Sequence, residues 1–135
     1  MSYSKESYYK KLFLTAAFYD FILGISFLFF YKPLFRFLEI PLPSNPSYLS
    51  LSAAFVLVLG IAYYFIYKNI RANRDLAIIG TIYKLAYIVI GIYYLLLNLV
   101  PHLIFLAFAV IDFVFLVLFI EFLLYTKNRE QESVT

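Results

Sequence analysis

Three ionisable residues lie deep inside apolar runs: Asp20 in residues 12–31, Lys84 in 76–98 and Asp112 in 103–125. An ammonium at such depth in hydrocarbon costs roughly 2.5–3.5 kcal/mol on insertion scales. A chain that keeps Lys84 therefore needs an acid to pair with it, and Asp20 and Asp112 are the candidates. The chemistry open to such a centre is charge neutralisation, or the holding of a proton, an ion or a ligand headgroup. Bond-making chemistry is not expected. No cysteine is present and His102 is the only histidine, so thiolate chemistry and a multi-histidine metal site are both excluded. No serine–histidine–acid set and no glycine-rich phosphate loop is found. The sequence therefore offers no catalytic residues and no metal ligands, and its balance leans to a non-enzymatic protein.

A single helical face extends the polar centre. Gly80, Lys84, Tyr87, Gly91, Tyr94 and Asn98 are spaced by 4, 3, 4, 3 and 4 residues, which keeps them on one side of a helix. In a membrane such a face turns toward protein and the apolar remainder turns toward lipid. With Tyr83 beside it, the expected centre comprises Lys84, Asp112 and Asp20, lined by Tyr83, Tyr87, Tyr94 and Asn98. Either acid, or both, can reach Lys84. These charges can lock helix register, form a functional polar site, or contact a partner subunit.

The elements that must position these residues follow from composition. The chain has 135 residues, 64% hydrophobic and 14% charged, too few charges to cover a soluble domain of this size. Four runs of about 20 or more mostly apolar residues, 12–31, 48–67, 76–98 and 103–125, match the length of a bilayer-crossing helix. The fold class is all-α: an integral membrane four-helix bundle forming one domain over residues 1–135, with a polar tail at 126–135. The N-terminus is too polar for a signal peptide, so the first run reads as a retained span.

Pro41, Pro43 and Pro46 interrupt the long connection at 32–47, whose apolar first half lies along the interface or caps the bundle mouth. Ala16, Ala17 and Gly24 share a face with Asp20 and permit close helix approach. On the second span Ser50, Ala53, Leu57, Gly60, Tyr64 and Tyr67 form the expected inward face. Asp75 is placed to start the third span near its positive dipole end. Glu121 lies half a turn out of phase with Asp112 and reads as interfacial, near Lys127 and Arg129.

Lysines and arginines set the orientation. Three lie before the first span, three in the 68–74 turn and two after the last span, against two in the 32–47 loop and none at 98–102. The excess predicts two antiparallel hairpins with both termini cytoplasmic, in a multi-pass protein of the cell inner (plasma) membrane. The basic residues are dispersed at helix ends, which is no nucleic-acid signature.

Gly60-Ile61-Ala62-Tyr63-Tyr64, then Asn73-Arg74, then Gly80-Thr81-Ile82-Tyr83-Lys84, and finally Asp112-Phe113-Val114-Phe115 together resemble the DoxX-like small prokaryotic four-helix membrane proteins. The resemblance covers about two thirds of the chain, and Gly80, Lys84 and Asp112 are its specific part. It implies a four-helix bundle and, for DoxX itself, an association with quinone-linked sulfur oxidation. The expected function is binding of a hydrophobic or amphiphilic small molecule, lipid- or quinone-like, at the Lys/Asp centre. The alternatives are an accessory or assembly subunit of a larger membrane complex, redox-linked or otherwise, and a proton-coupled carrier. The expected partners are the lipid bilayer, such a small molecule, and a second copy or a partner membrane subunit.

Overall fold

The computed structural model describes residues 3–134. Five α-helices carry them: α1 (Tyr3–Phe29), α2 (Tyr31–Phe37), α3 (Ser47–Lys68), α4 (Arg74–Leu96) and α5 (Leu103–Val134). Four of these, α1, α3, α4 and α5, are long and apolar enough to cross a bilayer, which marks the chain as a membrane protein.

The helix ends have local causes. Pro33 falls in the first turn of α2, where a missing N–H costs nothing. Glu39 then takes a left-handed φ of 57°, and the Ile40 N–H donates to the Phe35 carbonyl at 2.8 Å, closing the helix. α4 ends in the same way. Asn98 adopts φ 55°, its N–H donates to Leu95 O at 3.0 Å and the Leu99 N–H donates to Tyr94 O at 2.9 Å. Asparagine tolerates that conformation better than most residues. Between α3 and α4, the Asn73 side chain donates to the carbonyls of Phe65 and Asn69 at 2.9 and 3.1 Å. Asp75 sits in the first turn of α4, as its placement predicted. His102 Nδ1 accepts the Ile104 N–H at 3.0 Å at the start of α5.

Two boundaries extend beyond the predicted spans. α1 is helical from Tyr3, and α5 runs on to Val134, so the polar residues from 126 continue the last helix rather than leaving it. At 32 residues, α5 is roughly 48 Å long, well beyond a bilayer core of about 30 Å.

α1 packs chiefly along α3, and α4 along α5. In the first pair backbone meets backbone. A Cβ on Gly24 would lie 2.7 Å from the Leu57 nitrogen, and one on Gly60 would lie 2.7 Å from the Phe21 nitrogen. The small residues predicted for close approach, Ala16, Ala17 and Gly24, are all buried there.

Two aromatic clusters fill the bundle at different levels. Tyr9, Phe13, Tyr63, Phe119 and Phe122 form one. Phe27, Phe35, Ile40 and Ala53, with Phe105 and Phe108 against them, form the other. α2 contributes Phe35 to this second cluster and so caps that mouth of the bundle. Along α1 and α5, Asp20 and Asp112 fall between the two clusters.

One predicted face needs correction. On α3 the expected inward Tyr64 is 46% exposed and gives way to Tyr63, which is fully buried, as is Ile66, while Tyr67 packs partly buried against the core on its expected face. Beyond Gly60 the buried positions of α3 are Tyr63 and Ile66, and Tyr63 fits against Gly80 of α4.

Candidate functional site

The level between the aromatic clusters is polar and closed. α1 brings Asp20, α4 brings Lys84 and α5 brings Asp112, with relative exposures of 1%, 0% and 6%. The Lys84 ammonium donates to both carboxylate oxygens of Asp20, at 3.0 and 3.2 Å, and to Asp112 Oδ1 at 2.7 Å. An ammonium has three N–H donors, and three oxygens receive them. Both acids thus serve the one amine, and neither is left alone. The cluster holds two carboxylates for one ammonium.

Aromatic rings complete the enclosure. The amine lies 5.5 Å from the centre of the Tyr19 ring, 5.6 Å from Tyr63 and 5.4 Å from Phe115, distances at which ring faces attract a cation. Tyr63 reaches this position because Gly80 presents no side chain. The hydroxyls of Tyr19 and Tyr63 are buried and make no hydrogen bond among the described residues. Tyr83 and Tyr87, on the same helix as Lys84, are half-buried beside it.

The remaining predicted residues lie elsewhere. Tyr94 is ten residues beyond Lys84, roughly 15 Å along the helix axis, and is 45% exposed. Asn98 is exposed and terminates α4 through its left-handed backbone. Both share the helical face of Lys84, but distance along the axis removes them from its surroundings. Glu121, expected near Lys127 and Arg129, instead faces α1. Its Oε1 accepts the Tyr9 hydroxyl at 3.1 Å and lies 3.9 Å from the Lys5 amine.

Three residues of the enclosure escaped the sequence reading: Tyr19, Tyr63 and Phe115. Tyr19 is adjacent to Asp20 and so lies about 100° off its face, where periodicity places it outside the stripe. Phe115 had a usable signal, being one turn from Asp112. Tyr63 could be found only by knowing that Gly80 lies opposite.

Beside the triad runs an apolar seam. One cavity of about 130 Å³ is bounded by all four long helices, with Phe27, Ser52, Tyr87 and Phe108 among its walls. A second, of about 340 Å³, lies along α4 and the start of α5, between Gly91, Tyr94, Pro101 and Leu106. Tyr87 and Phe105 line both, and Tyr87 stands one helical turn from Lys84. No protein-family model matches this chain, and no curated protein or solved structure is significantly similar to it.

Proposed function

We propose that this chain is a non-enzymatic membrane protein that holds a hydrophobic or amphiphilic molecule, lipid- or quinone-like, in the seam beside Tyr87. The observation that carries the reading is the pair of adjoining apolar cavities, about 130 and 340 Å³, with Tyr87 between them. Predominantly apolar walls are how small-molecule sites are built, and apart from Ser52 and Tyr87 the side chains lining the smaller cavity are all apolar. The Lys84 amine is saturated by its two acids, so its part is to fix the helices that form the seam. In this reading the chain belongs with the DoxX-like group. Its helices form two antiparallel hairpins, and the termini and the 68–74 turn face the cytoplasm from the plasma membrane.

Native mass spectrometry of the protein extracted from its own membrane tests the proposal. A retained lipid-like or quinone-like adduct is expected, and Ser52→Phe, which fills the seam from α3, should abolish it. A wild-type protein carrying no adduct, or one that Ser52→Phe leaves in place, would refute it.

A second reading has its own support. Gly91 lies on the Lys84 face of α4, yet a Cβ there would meet nothing within 4 Å. That open position, with Tyr94 exposed beside it, suits an accessory subunit packed against a partner helix or a second copy. The same spectra distinguish it, since a co-purifying polypeptide would appear in place of the small adduct.

A further inference from the structure

At the far end of the bundle from α2, the chain builds a basic cleft from parts that lie apart in sequence. The contact of Glu6 with Arg71 at 3.2 Å and of Arg74 with Thr126 at 2.9 Å gathers the start of α1, the α3–α4 turn and the end of α5 there. Because α5 stays helical past its apolar stretch, Thr126, Arg129, Glu130 and Ser133 are spaced by 3, 1 and 3 residues along one face. That face lies opposite Arg71 and Arg74. Together they enclose a cleft of about 260 Å³.

Three guanidiniums and one carboxylate line the cleft. Arg74 is held firmly: its Nε donates to the Thr126 hydroxyl at 2.9 Å and an Nη donates to the Leu123 carbonyl at 3.0 Å. Those two bonds leave further N–H donors of the five on its fork. Arg71 gives one Nη to Glu6. Arg129 pairs with Glu132 at 3.7 Å and donates to the Tyr125 hydroxyl at 3.4 Å, which leaves further N–H donors of its five. The cleft opens where the apolar side chains of α4 and α5 give way to charged ones, the depth of lipid headgroups. Planar guanidiniums lining one cleft at that depth suit the oxygens of a phosphate.

We propose that this cleft binds the phosphate of an anionic lipid headgroup, with Arg71, Arg74 and Arg129 as donors. The site is separate from the Tyr87 seam and stands whatever occupies that seam. Glu130 opposes the bound charge and weakens the site, while the Ser133 hydroxyl, which donates to the Glu130 carbonyl at 2.8 Å, marks its outer rim.

The test is native mass spectrometry of the full chain released from micelles containing phosphatidylglycerol and phosphatidylcholine. Wild type should retain phosphatidylglycerol in preference. Ser133→Glu, which adds a carboxylate at an exposed position, should lower that preference about five-fold, the factor for one charge near a charged surface. Glu130→Gln should raise it. Neither exposed substitution touches the packed bundle, so folding is retained in both. Equal retention of the two lipids by wild type, or a preference unmoved by both variants, overturns the proposal. A melting temperature raised by inorganic phosphate without any lipid preference would assign the cleft to a soluble anion and likewise overturn it.

Discussion

The Tyr63 ring of α3 occupies the space that a side chain on Gly80 of α4 would fill: a Cβ there would lie 2.9 Å from the tyrosine hydroxyl oxygen. This ring is also part of the enclosure around the Lys84 amine. Gly80→Ala should therefore push Tyr63 aside and destabilise the bundle by about 1–3 kcal/mol, the usual cost of overpacking. Thermal unfolding in detergent measures it. Tyr63→Leu in the same chain should recover part of the loss, and strictly additive effects of the two changes would show that the residues do not interact.

Lys84 is the neutralising centre for two acids. Lys84→Met alone leaves two carboxylates facing each other and should cost about 3–5 kcal/mol, as expected for breaking a buried pair. Adding Asp20→Asn and Asp112→Asn should restore most of the melting temperature. Equal loss in the single and triple variants would argue against charge pairing.

Much of this was legible in the sequence, for a definite reason. Apolar runs of bilayer length announce helices, and an isolated lysine within one demands acids from elsewhere, so Lys84, Asp20 and Asp112 could be grouped without coordinates. Periodicity reports only the angle around an axis, however. Tyr94 and Asn98 share the Lys84 face yet lie far along α4, and Asn98 serves as a helix stop. Tyr63 displaced Tyr64 from the predicted face because a cavity on a neighbouring helix selects the ring that fits, which no single-helix pattern encodes. The continuation of α5 through polar residues was equally hidden, since hydropathy marks the end of a span and not the end of a helix.

The Lys5–Glu121 contact joins α1 to α5 at 3.9 Å, with both side chains about half exposed. Such pairs contribute about 0–1 kcal/mol and are screened by salt. Glu121→Gln keeps an acceptor for the Tyr9 hydroxyl, so it should change the melting temperature little. The small difference should vanish at high ionic strength, and a large, salt-independent loss would contradict a surface role.

Gly24 and Gly60 should be the least tolerant glycines. Each faces backbone atoms of the opposite helix, which cannot rotate away as a side chain can. Gly60→Val should separate α1 from α3 and lower the yield of folded protein in detergent. Gly91→Val, with open space around it, should be neutral in the isolated chain. Comparison of the two by size-exclusion profile and melting temperature checks the ranking.

The glycine contacts between α1 and α3 have a mechanical consequence. Two helices whose main chains touch behave as one stiff plank, whereas the union with α4 and α5 runs through side chains and the shared amine. Any admission of a guest between them would be a hinged swing of one plank against the other, with the Lys84 bonds as the latch that lets go last.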